Sequence, residues 1–500
     1  LRWLSPRREP PQPCVVVNPP APQPPPPELK LDYVGSLENA SLIISQMYRG
    51  EKRLVFVDSR QKAEMLGLML KEREVETFVS HSALGFDERR QAERAFAESQ
   101  NCVIVATSTL ELGIDVGDLD RVIQIDAPTT VASFLQRLGR TGRRAGTVRN
   151  CLFIATDHTP LLRAAALLDL FERKYVEPVV PPGKPYHLLA QQVLAQMMQH
   201  EGVTAANWHR GMDTFLQQAA LDPAAGLEVL SHLATQGLVS AESGAYWFTE
   251  EGERELGGMN FMDLLSIFVS EDLFEVRCGN KEIGRVDRVT FTLKQSQGPL
   301  LLGGRAWTVL DINWKKGIVQ VEPSKERGKS RWLGDGPAIP YELCQAMRRI
   351  VCMKEDPPRL SKRATEALAD ARSDLWWFHP EATTVFAEGD GKVKWYTHGG
   401  TVANVRLAWR LRQLLDGKTG CDEHSVTMPD GVGAPQALAA IELLRNDPMP
   451  FDAEAFRPLA ERLKFYESLP ARRVEELVQA RYEVRGEVEK VLREQAVLVG

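Results

Sequence analysis

The sequence predicts a multidomain chain. An α/β domain built on a parallel sheet comes first, then a small module of helices and a hairpin, then an antiparallel β-barrel or sandwich with a helical C-terminal region. Three observations predict it. At 500 residues the chain is too long for one hydrophobic core. Between about residues 31 and 181, short apolar runs rich in β-branched residues alternate with amphipathic segments. Beyond residue 186 that rhythm gives way first to helices and then to short alternating strands.

The segment from Arg7 to Pro27 is dominated by proline, including Pro24 to Pro27, so residues 1–34 read as a semi-extended linker. A chain opening on Leu1 and a linker is expected to continue upstream. In residues 35–181 the apolar runs are Leu54–Val57, Val75–Phe78, Cys102–Ala106, Arg121–Ile125 and Val148–Ile154. Strands buried on both faces read this way, and ligands of such sheets bind beyond the strands' carboxyl ends. Residues 186–258 hold three helix-like stretches and two short strands around Gly244, which suggests a winged-helix module; a generic helical connector is the alternative. The stretch "DPAAGLEVLSHLATQG" carries almost no basic side chains, so the module is expected to support rather than read bases. In the final part, 259–500, alternating strands over about 263–325 predict the barrel or sandwich. Residues 338–500 read as mostly helical, with a charged helix near Val474–Gln495.

Composition excludes several classes. A formal net charge of −6 argues against a uniformly basic nucleic-acid coat, so phosphate contacts must be local. Seven scattered cysteines without a CxxC pair read as reduced, buried thiols of a cytoplasmic protein, not a disulfide framework or a zinc site. No apolar run reaches about 18 residues, so no membrane partner is expected.

The strongest chemical signal is "QRLGRTGRRAG", where Arg137, Arg140 and Arg143 recur every third residue with Gly139 and Gly142 between them. A helical glycine costs on the order of 1 kcal/mol against alanine, so close approach of a charged ligand to the backbone is the expected reason for two of them. Guanidinium forks match phosphate oxygens. Upstream, "VIVATSTLELGIDVGDLDRVIQID" places Thr107 and Ser108 at the end of a buried strand and Asp115 after a Gly113 turn. Hydroxyls there suit a phosphodiester, and a carboxylate suits a ribose hydroxyl. Two earlier strand ends carry Ser59 with Arg60, and His81 with Ser82 ahead of a helix bearing Arg89 and Arg90. Salt bridges to Glu88 and Glu93 are the alternative for those last two arginines.

These four segments, in this order, resemble motifs IV, IVa, V and VI of the second RecA-like domain of superfamily 2 helicases. "ATSTLELGIDVGDLDRVIQIDAPTTVASFLQRLGRTG" resembles more narrowly the large helicase-related (Lhr) family, as do "GRAWTVLDI", "RWLGDGP", "KWYTHGGTVANVRLA" and "LKFYESLPARRVEELVQAR". The resemblance implies that Arg140 and Arg143 meet the γ-phosphate of ATP with Mg2+, that Gln136 helps position it, and that Gly113 and Asp115 meet the ribose. It implies that Ser59, Arg60, His81, Ser82, Thr107 and Ser108 grip a nucleic-acid strand. Many Lhr proteins carry histidine where this chain has Arg143. No GxxxxGK string followed by Ser or Thr occurs, and Asp422-Glu423-His424 follows the arginine segment instead of preceding it, so it reads as a surface loop. The implied protein is thus the C-terminal portion of a 3′-to-5′ DNA helicase. Its partners would be single-stranded DNA or a DNA/RNA duplex and an upstream RecA-like domain; a non-catalytic nucleic-acid-binding module is the alternative. Among the tryptophans, Trp307 and Trp314 are expected to be packed. Trp332, set among Lys325, Arg327, Lys329 and Arg331, is expected to stack on an unpaired base.

Overall fold

The computed structural model describes residues 17, 25–111, 119–144, 146–222, 224–257, 262–267, 273–287, 289–292, 299–326, 328, 338–389, 391–446 and 449–499. Two compact units form, and the chain passes between them more than once. One contains residues 25–178, 271–447 and 485–500; the other contains 179–270 and 448–484.

The first unit is built on a six-stranded sheet, all of whose pairings are parallel: β1 (Glu28–Tyr33), β2 (Arg53–Phe56), β3 (Thr77–Ser80), β4 (Val103–Ala106), β5 (Arg121–Ile125) and β6 (Asn150–Ala155), in the order β1-β6-β5-β2-β4-β3. Helices α1 (Leu37–Gln46), α2 (Arg60–Glu72), α3 (Phe86–Glu98), α4 (Val131–Leu138) and α5 (His158–Glu172) connect or follow the strands. The two-residue strand period sorts side chains to two cores. Leu54, Phe56 and Ile104 join Phe134 and Leu138 on one side; Val55, Val103 and Val105 join Ile44, Leu66 and Leu70 on the other. Each such side chain contributes about 1.5–3 kcal/mol by leaving water. Strand β1 corrects the sequence reading, because it begins inside the segment taken as linker. It pairs with β6 from Glu28 onward, immediately after the proline run.

Further along the same unit, β10 (Leu273–Cys278), β11 (Lys281–Asp287), a short helix α10 (Val289–Thr292), β12 (Leu300–Leu301), β13 (Ala306–Asn313) and β14 (Ile318–Pro323) give a five-stranded sheet. Its order is β11-β10-β14-β13-β12, and β10 runs parallel to β14, so the expected wholly antiparallel arrangement does not hold. Alternation reveals which face a side chain takes but not which strand lies beside it. Val276, Ile283, Trp307 and Val319 enter the second core of the parallel sheet. Helices α11 (Tyr341–Cys352) and α12 (Lys362–Asp374) enter the first through Leu343, Met347 and Leu368. After them come β15 (Thr383–Ala387), β16 (Val393–Tyr396), α13 (Thr401–Leu415), β17 (Gly420–Cys421), β18 (Ser425–Thr427) and α14 (Ala434–Arg445). Helix α17 (Arg485–Arg493) and β19 (Ala496–Val499) complete a sheet of order β17-β18-β16-β15-β19, which the sequence reading had not separated from its helices.

The second unit holds α6 (Tyr186–Gln199), β7 (Val203–Thr204), α7 (Asp213–Gln218), α8 (Ala225–Thr235), β8 (Val239–Glu242), β9 (Ala245–Phe248) and α9 (Glu250–Gly257). To these it adds α15 (Ala453–Ala460) and α16 (Ala471–Tyr482). Buried Arg473 ties α16 to the rest: its guanidinium donates to Glu228 at 2.7 and 2.8 Å, to Asp222 at 2.6 Å and to Glu476 at 3.1 Å, and its Nη1 lies 3.0 Å from the Tyr186 hydroxyl. The charged stretch expected as one helix is therefore two, broken at residues 483–484, and its halves belong to different units. Among the described residues no helix is long and apolar enough to cross a membrane. Of the six described cysteines, Cys102, Cys151 and Cys344 are buried, and burial raises the Cys102 thiol to about 11; Cys421 is exposed, against expectation.

Candidate functional site

Ser59, Thr107 and Asp126 all follow the carboxyl ends of parallel strands, each placed by local chemistry. Ser59 caps α2, its Oγ accepting the Lys62 N–H at 3.2 Å, and this fixes half-buried Arg60 at the first helical position. Thr107 donates its N–H to the Ser80 carbonyl at 3.3 Å and starts a tight turn over Ser108–Leu110, leaving Ser108 exposed. Ser82 is likewise exposed. Ser59, Arg60 and Thr107 are thus half-buried, and Ser108 and Ser82 exposed.

His81 is fully buried, with Nε2 2.7 Å from the Glu64 carboxylate, which also accepts the Gly303 N–H at 2.6 Å and the Gly304 N–H. The residue expected to grip a strand is instead part of a buried junction between the parallel sheet and the loop joining β12 to β13. Nor does Glu88 pair as anticipated: its partner is Lys281, at 2.5 Å.

The arginine segment also departs from expectation. Thr130 Oγ1 accepts from Ser133 N–H at 3.1 Å at the start of α4, and the Glu177 carboxylate takes the Val131 and Ala132 N–H groups at 2.8 and 2.9 Å. A carboxylate on the first-turn amides is favourable there. Helix α4 ends at Leu138 with Gly139 as its C-cap, so neither glycine lies inside a helix. Gly142 has φ +70°, and a Cβ there would sit 2.6 Å from both the backbone N and the Cγ of Arg149. The chain's own return strand, not a ligand, accounts for that glycine.

The three arginines take different environments. Arg137 is buried against the Glu111 carboxylate (Nε to Oε1 2.8 Å) and Gln124, with its guanidinium 4.9 Å from the Phe56 ring centroid. Arg140 is 8% exposed and donates to the Glu111 backbone carbonyl; burial, with Arg143 nearby, lowers its pKa from the ordinary arginine value. Arg143 is exposed, its Nε donating to the Gly139 carbonyl at 3.1 Å, and Gln136 is exposed on α4. Gly113, Asp115 and Trp332 lie outside the described residues. Trp307 is packed as expected, donating to the Leu302 carbonyl at 2.8 Å, whereas Trp314 is 48% exposed at the tip of the β13–β14 hairpin.

Two participants were missed. Glu111 receives Ser133, Arg137 and Arg140 together; these partners lie 22 to 29 residues downstream, so no local pattern marked it among the acids of its segment. Asp126, following β5, has φ +59° and is buried, accepting from the Thr156 N–H at 3.0 Å, the Thr156 hydroxyl at 2.8 Å and Lys62 Nζ at 2.7 Å. Burial pulls the Lys62 pKa down, but Asp126 and Asp58 outweigh it, and the net direction is up. The Asp422-Glu423-His424 string forms a turn between β17 and β18, with Asp422 accepting the His424 and Ser425 N–H groups at 2.8 and 2.7 Å.

Gln136 and Arg143 present exposed donors of the kind that suits phosphate oxygens, whereas the Arg140 guanidinium is engaged with Glu111. Among the described residues no group of three or more His, Cys, Asp or Glu side chains could hold a metal ion.

A family described as "Helicase conserved C-terminal domain" matches residues 36–145. The chain is 24% identical over 391 residues to the Lhr helicase/uracil glycosylase of Escherichia coli (strain K12), covering 71% of this chain and 25% of that protein. It is 23% identical over 315 residues to the ATP-dependent helicase Lhr-Core of Methanothermobacter thermautotrophicus, covering 59% of this chain and 36% of the relative. It therefore spans about a quarter to a third of the length of these relatives. Among solved structures, the Mycobacterium smegmatis helicase Lhr, bound to ssDNA and AMP-PNP, shares the fold with a TM-score of 0.63 and 19% identity, over 97% of this chain and 71% of that one.

Proposed function

We propose, from the premise that this chain belongs to the Lhr family of superfamily 2 helicases, that it supplies the arginine-bearing half of an ATP-driven, 3′-to-5′ DNA translocase and helicase. Arg140 and Arg143 act as arginine fingers on the γ-phosphate and Gln136 helps to orient it, while Gly113 and Asp115 meet the ribose. Ser59, Arg60, Ser82, Thr107 and Ser108 hold the tracking strand, and Trp332 stacks on one of its bases. An upstream RecA-like domain completes the nucleotide site and holds the Mg2+. The winged-helix module, residues 186–258, supports the strand's path.

The observation that carries this reading is the joining of Arg140 to Glu111, the residue that ends the turn begun at Thr107, with Arg143 and Gln136 exposed beside it. A fixed cation near the phosphate face and hydroxyls near the strand face are what a nucleic-acid-stimulated ATPase requires of one domain. The AMP-PNP and ssDNA bound by the Mycobacterium smegmatis relative support the same pairing of ligands. The test is steady-state ATP hydrolysis by the full-length protein with and without single-stranded DNA, beside Arg140→Ala. Loss of an arginine finger lowers turnover by roughly 10³-fold or more. DNA-stimulated turnover persisting in Arg140→Ala would remove the assignment.

A further inference from the structure

Leaving β4, the chain turns through Ser108–Leu110 and closes with the Glu111 N–H on the Ser108 carbonyl at 3.0 Å. Glu111 is 9% exposed and uses both of its polar ends. Its carboxylate accepts from Ser133 Oγ at 2.8 Å and from Arg137 Nε at 2.8 Å, both residues of α4. Its backbone carbonyl accepts from Arg140, just beyond that helix. Arg137 is therefore committed to the protein interior, with Gln124 and the Phe56 ring taking the rest of its guanidinium.

Glu111, Arg137 and Arg140 are buried, so these three cannot readily exchange partners for water when the turn shifts. A ligand that repositions Thr107 and Ser108 must carry Glu111 with it, and with Glu111 the acceptor of Arg140. We propose that Glu111 is a positioning residue that couples strand occupancy at Thr107–Ser108 to the placement of Arg140, an inference that rests on the motor reading above. Glu111 touches neither ligand. It transmits because its carboxylate fixes the helix while its carbonyl fixes the finger.

The coupling is measurable as the factor by which AMP-PNP tightens single-stranded DNA binding, a factor that by linkage is the same in both directions and typically roughly 5–150. Full-length wild type and Glu111→Gln are titrated by fluorescence anisotropy at one salt concentration, with and without AMP-PNP, after thermal melts establish that both are folded. In Glu111→Gln the coupling factor should fall to within about twofold of one, while nucleotide-free DNA affinity changes by less than about twofold. A wild-type coupling factor in the variant overturns the proposal, as does a parallel loss of nucleotide-free DNA affinity, the mark of a merely structural role. Should Glu111→Gln fail to fold, Ser133→Ala decides, since it removes a single hydrogen bond: unchanged coupling there overturns the proposal and reduced coupling supports it. A wild-type protein with no nucleotide effect at all overturns the motor reading and this coupling with it, an outcome distinct from a failure confined to the variants.

Discussion

Replacing Glu64 by alanine tests the junction between the parallel sheet and the second sheet of its unit. Glu64 is fully buried on α2, and its carboxylate accepts from the Gly303 N–H at 2.6 Å, the Gly304 N–H and His81 Nε2 at 2.7 Å. One turn pair further along the same helix, Lys71 donates to the Gly303 and Gly304 carbonyls at 3.2 and 3.1 Å. Burial, with Arg305 nearby, holds its ammonium below the ordinary lysine pKa. The loop can present both donors and acceptors to one helix because its glycines adopt φ +69° and +64°. Glu64→Ala leaves three donors in the interior, each costing about 1–3 kcal/mol if unmade; water entering the vacated space recovers part of that, so the net loss is ~3–5 kcal/mol. Glu64→Gln keeps one acceptor oxygen and should cost about 1–2 kcal/mol. Urea unfolding followed by tryptophan fluorescence reads this directly, because packed Trp307 donates to Leu302 beside the loop. The transition of the unit containing residues 25–178 should move, and that of the unit containing 179–270 should not. A loss below about 1 kcal/mol in Glu64→Ala would mean that those donors never depended on this carboxylate.

Three further outcomes follow from other sites. Gly142→Ala, at φ +70° and with Arg149 2.6 Å from the new Cβ, should destabilise by about 1–3 kcal/mol from backbone strain alone; an unchanged melting temperature would discount the turn. Arg473→Ala strands three carboxylates that are 42%, 34% and 21% exposed; because these can take up water, about 2–3 kcal/mol is expected, read as selective melting of the second unit. Burial, with Arg481 adding, lowers the His187 pKa to about 4 from 6.5. The unfolded chain therefore binds the extra proton first, and this contribution is complete above about pH 6.5 and lost as pH falls toward 4, with a slope of at most about 1.4 kcal/mol per pH unit. His187→Gln should flatten that slope in urea titrations between pH 4.5 and 7, and a slope unchanged by the substitution would show that His187 does not titrate in this window.

What the sequence disclosed and what it withheld divide along one physical line. Strands β2, β4 and β5 were legible because burial on both faces leaves an unbroken apolar signature such as Val103-Ile104-Val105-Ala106. Strand β1 was not: "ELKLDY" exposes alternate residues at the edge of the sheet and follows prolines. Non-local partners leave no local mark. Arg473 finds Asp222 and Glu228 about 250 residues upstream, so nothing in its own helix announces that α16 leaves the C-terminal region for the second unit. Trp314 and Trp307 both occupy alternating sequence, yet one ends a hairpin and the other abuts a buried loop.

In the arginine segment the expected reason for the glycines does not hold. Three arginines at a spacing of three would rotate about 60° per step on a continuous helix, since each residue advances about 100°. The helix stops at Leu138, and the spacing instead distributes them: Arg137 inward to Glu111, Arg140 to the carbonyl of that same glutamate, Arg143 outward. The glycines stop the helix and admit Arg149 rather than making room for a ligand. A residue spent on the interior is not a wasted finger. By burying Arg137, the chain anchors the end of α4 to the turn after β4, and the coupling proposed above between Thr107–Ser108 and Arg140 runs through that anchor. Arg137→Met should therefore weaken nucleotide coupling even though Arg137 meets no nucleotide. If Arg137 were instead a third phosphate contact, the same substitution would weaken nucleotide affinity equally with and without DNA, and the two ratios separate the cases.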